Sequence, residues 1–344
     1  MDEGLTYRSA GVDIDAQDEG LRRVKAIAKT TFTRCVLSEI GLFGGLFALD
    51  PGDPRGDVLV ASADGVGTKL KVAQMAGRYD TVGQDLVNHC VNDILVQGAR
   101  PLFFLDYFAA GRLVPARLAW VAEGLGKACR ENGCALLGGE TAEMPGLYAG
   151  DDFDLAGFIV GTVKRDRTLP RGAVAGDSLV ALPSTGLHTN GYSLARKLFF
   201  EVKGFTVDTY LSDLGAGVGE TLLAVHRSYL KPLHALLEQE PGIHALAHIT
   251  GGGIPDNLPR VLPEGVRAAV RAASVPRLSI FSYIQREGEV PEADMWRTFN
   301  MGVGMVLCVD RGRTDAVLAA LRTAGEAPAV IGELCAGDRG VTIR

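Results

Sequence analysis

The six residues Asp64-Gly65-Val66-Gly67-Thr68-Lys69 put an acid, two glycines, a hydroxyl and a lysine directly after the apolar run Val58-Leu59-Val60. Glycines let the backbone approach an anion closely, Thr68 and Lys69 can contact phosphate oxygens, and Asp64 can hold a hard cation. The stretch therefore reads either as one wall of a nucleotide and divalent-metal site or as plain punctuation between a strand and a helix. Two further acids bear on the choice. Asp93 follows Asn92 inside Cys90-Val91-Asn92-Asp93-Ile94-Leu95-Val96, where burial is expected and an unpaired acid needs a cation or a donor beside it. Glu140 stands in Gly138-Gly139-Glu140-Thr141, at the glycine-rich exit of a short apolar strand. Asp64, Asp93 and Glu140 are thus three acids that can converge on Mg²⁺, which takes oxygen ligands and is usually shared with substrate phosphates.

The second half of the chain carries two more polar turns. In Pro183-Ser184-Thr185-Gly186-Leu187-His188-Thr189-Asn190-Gly191, the side chains of Ser184, Thr185, Thr189 and Asn190 can hydrogen-bond to phosphate or sugar. His188 can transfer a proton or neutralise charge there; a capped helix start with a surface histidine is the alternative. Farther on, His248-Ile249-Thr250-Gly251-Gly252-Gly253 runs a strand into three glycines, with Asp256 or Asn257 near the start of the helix that follows. Backbone N–H groups at such a turn form a nest for an anion, which suggests a phosphorylated acceptor in addition to a nucleotide. Arg297 and Asn300 are candidate substrate contacts, with a structural ion pair for Arg297 an equal alternative.

The elements that position these residues follow from periodicity. A helix starting at Asp18 or Glu19 runs through Leu21, Val24 and Ile27. The acids Asp13, Asp15, Asp18 and Glu19 resemble a calcium loop only superficially, because the EF-hand spacing is missing. Residues 41–47 hold three glycines and two phenylalanines, which fit a tightly packed turn or a mobile lid. Residues 81–97 predict a helix with Asp85, Asn88 and Asn92 in one row; strands are expected at 102–107, 134–137 and 155–163, and a helix at 115–131. A charged linker at 164–176 places a domain boundary, giving an N-terminal domain of residues 1–170 and a C-terminal domain of 171–344. Beyond it come strands at 178–182 and 306–309, a helix through Leu194 and Leu198, and a helix at 314–323.

Composition narrows the partners. With 344 residues, 47% hydrophobic, 22% charged and a net charge of -6, the chain has room for two ordinary globular domains and no basic field for nucleic acid. No apolar run is long enough to span a bilayer and no signal peptide is read, so a cytoplasmic protein is expected. The six cysteines lack CxxC spacing and read as free, buried thiols.

Asp64-Gly65-Val66-Gly67-Thr68-Lys69, Asn92-Asp93 with its following residues to Ala99, Gly138-Gly139-Glu140-Thr141 with Glu143 and Gly146, His188-Thr189-Asn190-Gly191, His248 to the triple glycine, and Arg297 to Gly302 occur in this order. In that set the chain resembles the phosphoribosylformylglycinamidine cyclo-ligase family of purine biosynthesis. Leu187 and Thr189 are departures in the histidine loop. The resemblance implies ATP-dependent closure of the imidazole ring of 5-aminoimidazole ribonucleotide from formylglycinamidine ribonucleotide, with release of ADP and phosphate. It implies an α/β (α+β) fold in two domains: an N-terminal domain whose sheet forms a barrel with a second subunit, so a homodimer, and a C-terminal α+β domain. ATP would sit against Asp64, Gly65, Gly67, Thr68, Lys69, Asp93, Gly138, Gly139, Glu140 and Thr141, with Mg²⁺ on Asp64, Asp93 and Glu140. Whether a monovalent cation such as K⁺ assists is left open. The phosphoribosyl substrate would meet Ser184, His188, Asn190, Thr250, Gly251, Gly252, Gly253, Arg297 and Asn300, with Lys69, Asp93, His188 and His248 as catalytic candidates. The rivals are a small-molecule kinase of the same superfamily, similar to thiamine-monophosphate kinase, and a non-catalytic nucleotide-binding regulator.

Overall fold

A computed structural model describes residues 4–239 and 242–344, and of residues 14, 15, 17 and 18 the backbone only, so the acids Asp15 and Asp18 lie outside the described side chains. The first half builds a five-stranded sheet from β1 (Gly45–Ala48), β2 (Asp57–Gly65), β3 (Arg100–Ala110), β4 (Ala135–Glu143) and β5 (Phe153–Lys164), in the order β1-β2-β5-β3-β4. Its helices are α1 (Ile14–Lys29), α2 (Lys69–Ala76), α3 (Asp80–Leu95) and α4 (Pro115–Asn132). All neighbouring strands are antiparallel except β3 and β4, which α4 joins as a parallel crossover.

Helix α3 is the element on which the fold turns. Val82, Leu86, Val87, Cys90, Val91, Ile94 and Leu95 are all buried against the sheet and α4. The two helices cross backbone to backbone: a Cβ on Gly83 would stand 2.3 Å from Val121 O, and one on Gly124 would stand 2.1 Å from Asp80 O. Glycine is required at that contact because any side chain would force the helices apart. The remaining face of α3 is polar yet also buried, carrying Asp85, Asn88, His89, Asn92 and Asp93. A helix buried on every side must satisfy those polar groups internally, and the second half of the chain supplies the partners.

That half builds a six-stranded sheet in the order β13-β10-β12-β6-β11-β9, from β6 (Ser178–Pro183), β9 (Ile243–His248), β10 (Val266–Val270), β11 (Val303–Val309), β12 (Ala329–Ala336) and β13 (Gly340–Ile343). A short ribbon pairs β7 (Tyr210–Leu211) with β8 (Ala216–Gly217). Helices α5 (Tyr192–Arg196), α6 (Val218–Leu222), α7 (Leu230–Gln239), α8 (Gly253–Asn257), α9 (Ser279–Glu287), α10 (Glu292–Thr298) and α11 (Thr314–Thr323) complete this α+β domain. Strand β11 is buried at every position between β6 and β9, as its unbroken run Val-Gly-Met-Val-Leu-Cys-Val demands.

Several expectations need correction. Helix α1 starts at Ile14, earlier than Asp18, because Asp13 Oδ1 accepts from Ala16 N at 3.1 Å and caps it. Its apolar stripe, Leu21, Val24 and Ile27, is exposed in the single chain. The expected short, buried strand at 134–137 is instead the nine-residue β4, exposed along nearly its whole length. It lies at the sheet edge, and Leu105, Leu136, Leu137 and Phe158 are open among the described residues. Gly138, Gly139, Glu140 and Thr141 therefore lie within a strand and not at its exit. The helix expected through Leu194 and Leu198 is α5 followed by a π-helical turn, Lys197–Val202. Of the two phenylalanines at 41–47, Phe43 is buried beside the His248 ring (centroids 6.5 Å apart) and Phe47 is half-exposed on β1.

Candidate active site

Strand β2 ends at Asp64 and Gly65, and the chain turns through Gly67, whose φ of 66° is left-handed, into α2 at Lys69. Asp64 Oδ1 accepts from Gly65 N at 2.7 Å, which turns the other carboxylate oxygen toward α3. There His89 Nε2 meets Asp64 Oδ2 at 2.7 Å and lies 3.8 Å from Asp93 Oδ2. Asp93, one helical turn beyond His89, bonds His248 Nδ1 through Oδ1 at 2.8 Å and accepts from Ser62 Oγ at 3.2 Å. His248, the last residue of β9, brings its Nε2 to 3.0 Å from His226 Nε2. His188 stacks on His226 with centroids 3.9 Å apart. Four of the six histidines, contributed by both domains, thus share one buried cluster whose fifth and sixth members are Asp64 and Asp93.

The electrostatics follow from burial and these neighbours. Burial alone would lower His89, but the carboxylates of Asp64 and Asp93 outweigh it and push it up to about 9. Burial raises Asp93 to about 7, with the Asp64 charge adding to it and His89 opposing. His188, His226 and His248 are held well below the ordinary histidine range, by burial first and then by cationic neighbours. His248 is thus a neutral imidazole oriented by the Asp93 carboxylate at Nδ1 and by His226 at Nε2. His188 stands in the left-handed region at φ 61°, accepts from Thr185 N at Nε2 (3.2 Å), and has no hydrogen-bond partner at Nδ1 among the described residues. A surface histidine at a helix start is therefore not what the structure shows for His188, which is 1% exposed.

Asp64 and Asp93 offer the oxygen atoms a hard cation takes, and Asp64 keeps 40% of its side chain exposed; in this arrangement the cationic His89 stands between them, its Nε2 2.7 Å from one carboxylate and 3.8 Å from the other. Glu140 does not join them within one chain. Through the registers Gly65↔Ala156, Ala156↔Tyr107 and Tyr107↔Glu140 it lies three strand spacings away, about 14 Å at ~4.8 Å each. Lys69 also departs from its expected phosphate contact. It is fully buried, with Nζ paired to Asp85 Oδ2 at 2.7 Å and donating to the carbonyls of His188 (3.0 Å) and Ala224 (2.7 Å). All three ammonium hydrogens are used, so in this arrangement the lysine ties the domains together. Thr68 faces the second domain too, its Oγ1 being 3.3 Å from Ser193 Oγ.

In the second domain, the single Ser184 Oγ–H is shared between Gly186 O (3.0 Å) and Asn300 Oδ1 (3.1 Å), while Asn300 Nδ2 donates to Gly186 O (2.9 Å). These side chains are spent on the loop's shape. The triple-glycine turn is fixed by Asn257 Nδ2, which donates to Gly251 O (3.0 Å) and Gly253 O (2.8 Å); Thr250 Oγ1 donates to Asn257 Oδ1 (3.2 Å). Gly252 and Gly253 are left-handed at φ 90° and 59°, and a Cβ on Gly253 would stand 1.9 Å from Trp296 O. Half-buried Asn190 lies beside Gly251. Arg297 pairs with Asp256 at 3.4 Å, so of its two sequence readings the ion pair is present.

Sequence reasoning missed His89 and His226. Asp85, His89 and Asp93 stand four residues apart, a spacing that stacks them on one helix face, so the first was available from the sequence. His226 sits in Leu223–Ser228 with no glycine turn or periodic pattern to mark it. It is bound by its partners on α3: its N–H donates to Asp85 Oδ1 (2.7 Å), its carbonyl accepts from Asn88 Nδ2 (2.8 Å), and Asn92 Oδ1 accepts from Tyr229 N (2.9 Å).

Comparison with known proteins agrees with this layout. Residues 46–163 match the family described as "AIR synthase related protein, N-terminal domain" and residues 174–344 its C-terminal counterpart. A phosphoribosylformylglycinamidine cyclo-ligase of Alkaliphilus metalliredigens is 46% identical over 340 residues, covering 98% of each chain. The protein of that name from Sorangium cellulosum is 50% identical over 332 residues, 96% of this chain and 95% of that one. Among solved structures, "AaThiL complexed with AMPPCP and TMP" aligns with a TM-score of 0.65 at 15% identity over 93% and 91% of the two chains. The hydrogenase maturation protein HypE of E. coli aligns with a TM-score of 0.59 at 21% identity over 83% and 81%. At such identities the two structures speak for the fold alone.

Proposed function

The chain belongs to the phosphoribosylformylglycinamidine cyclo-ligase family, and from that premise we propose how its own residues carry out the reaction. It is an ATP-dependent ligase of purine biosynthesis that closes formylglycinamidine ribonucleotide to 5-aminoimidazole ribonucleotide, releasing ADP and phosphate. The formyl amide oxygen takes the γ-phosphoryl group from ATP; the amidine nitrogen then attacks the activated carbon, loses a proton, and phosphate departs. The observation that carries the assignment of roles is the 2.8 Å contact between Asp93 of the first domain and His248 of the second. It supports reading Asp93 as a carboxylate of the nucleotide side set against His248 as a neutral imidazole of the acceptor side.

In this reading Asp64 and Asp93 would hold Mg²⁺, which would supply charge neutralisation for the transferring phosphoryl group. The backbone of Gly65, Gly67 and Thr68 lies along the triphosphate. His248 receives the amidine proton, and Asp93 fixes its orientation and protonation. The turn of Thr250, Gly251, Gly252 and Gly253, with Asn190 and Arg297 beside it, receives the ribose phosphate. Ser184, Asn300 and His188 shape the wall between them, and Lys69 holds the two domains in register. The division at residues 170 and 171 separates the nucleotide-binding half from the acceptor half.

Gly138, Gly139, Glu140 and Thr141 lie about 14 Å across the sheet from the Asp64 turn, at ~4.8 Å per strand, so Glu140 is too far away to share a cation with Asp64 within one chain. We place them against the nucleotide of a second copy, in a homodimer whose exposed β3, β4 and β5 faces close into a barrel. Open Leu105 and Phe158, paired across β3 and β5, and open Leu137 on β4 support this, since large apolar side chains grouped on one sheet are rarely left to water. No described helix is long and apolar enough to cross a membrane, and a cytoplasmic location fits the pathway.

The test is incubation with ATP, Mg²⁺ and formylglycinamidine ribonucleotide, with colorimetric detection of the aminoimidazole. Product formed in proportion to ADP supports the assignment. ATP consumed with phosphate delivered to another acceptor, such as thiamine monophosphate, would move the protein to the kinase branch.

A further inference from the structure

At the opposite end of the first sheet from Asp64, a cavity of about 500 Å³ opens between the two domains. Asp57, which begins β2, lines it; the seven residues from there to Asp64 span about 23 Å at ~3.3 Å per residue, so the cavity is well apart from the histidine cluster. The strand ends bring Arg100 and Lys164, the interdomain linker brings Arg167 and Arg171, and α7 brings His234. Asp57 is already paired with Lys164 at 2.9 Å, and Glu238 lies 3.8 Å from His234. Arg100, Arg167 and Arg171 make no ion pair or side-chain hydrogen bond with any described residue. Three uncommitted guanidinium groups facing one cavity are unusual in a chain whose net charge is -6.

The floor between them is apolar, formed by Val163, Leu169 and Leu237. Beyond Arg100 the groove continues into a second lobe, also about 500 Å³, where Arg130 and Lys231 add two more cations. Guanidinium forks match phosphate oxygens in bidentate fashion, an apolar floor suits a flat ring, and cavities of roughly 300–1,000 Å³ hold ligands of this size.

We propose that this cleft is a second binding site, for a phosphate-bearing anion of nucleotide size that carries an aromatic ring. Its phosphates engage Arg100, Arg167 and Arg171, and its ring lies on Leu169 and Leu237. Because the lining comes from both domains and from the linker, the occupied site also ties the two domains together on the side away from the catalysis.

Titration calorimetry with inorganic pyrophosphate and then ADP, on wild type and on the double variant Arg100→Glu/Arg171→Glu, tests this. Both arginines are exposed or half-exposed, and a melting curve like that of wild type shows that the variant folds. The site predicts a pyrophosphate isotherm that weakens at least tenfold in the variant while ring-closing activity is unchanged. ADP should bind the arginine-dependent site at least tenfold more tightly than pyrophosphate, since only ADP uses the apolar floor. Isotherms that are identical in the two proteins, or an absence of binding in wild type, would overturn the site. Equal affinity for both probes would overturn the ring contact.

Discussion

Replacing Lys69 by Met separates two incompatible roles for this residue. If Lys69 is a buried tie, as its three contacts indicate, the substitution leaves the Asp85 carboxylate without its countercharge and frees the carbonyls of His188 and Ala224. Burial already pushes Lys69 down and Asp85 up, with each opposed by the other's charge, so the pair is balanced against desolvation. Removing one member of a buried pair costs about 3–5 kcal/mol, the larger part being the penalty on the charge left behind. The double variant Lys69→Met/Asp85→Asn removes that charge too while keeping an acceptor for the His226 N–H, which bonds Asp85 Oδ1 at 2.7 Å. It should therefore lose less than the sum of the two single changes, by about 1–3 kcal/mol of coupling. Urea unfolding followed by circular dichroism at neutral pH reads both quantities, and steady-state kinetics gives the KM for ATP. Lys69→Met within about 0.5 kcal/mol of wild type, the range of an ordinary surface change, together with a sharply raised KM for ATP, would refute the tie and restore the phosphate contact.

Four further outcomes are expected. Asp64→Asn and Asp93→Asn should each lower ATP turnover at least a hundredfold with the fold retained by circular dichroism; full activity in either would remove that residue from the metal site. His248→Ala should impair ring closure while leaving ATP binding within a few-fold of wild type, and equal losses on both substrates would count against its place on the acceptor side. The metal-free protein should lose stability as pH rises: His89 is raised from its ordinary value of 6.5 to about 9, so its contribution is complete below about 6.5 and lost as pH climbs through 9. Asp93, raised from 3.8 to about 7, adds loss of the same sign at lower pH. Thermal melts from pH 6 to pH 9.5 should show the decline and His89→Gln should flatten its upper part; a flat wild-type profile would contradict it. Leu137→Glu, at a position 63% exposed in one chain, should yield a folded monomer by sedimentation. An unchanged mass would argue against the β4 face as the interface.

How much of this was legible in the sequence depends on whether the signal was local. Strand β6, helix α11 and the β2-to-α2 turn fall where periodicity and glycine spacing place them, because each is decided by neighbours in sequence. Strand β4 was misread because hydrophobicity reports that a surface avoids water, not which chain covers it; Leu136 and Leu137 are apolar and yet open within this one. Lys69 reads as a phosphate contact from its chemistry, whereas the partners it has in this chain, Asp85, His188 and Ala224, lie 16 to 155 residues away and no spacing rule connects them.

The same reasoning explains why α3 looks anomalous as a sequence and coherent as a structure. A soluble helix normally sorts its residues into an apolar face and a wet one, and Asp85, Asn88, His89, Asn92 and Asp93 read as the wet face. Every one of them is buried, because each is met by a group of the second domain or of the β2 turn: Lys69, His226, Asp64, Tyr229 and His248. Buried polar rows of this kind do little for net stability, since desolvation offsets most of what the contacts return. They do fix geometry, because a domain shift of one helical turn would leave several charges and amides unpaired at once. The polar face of α3 therefore sets the register of the two domains, and with it the distance between the carboxylates that face the nucleotide and the imidazole that faces the acceptor.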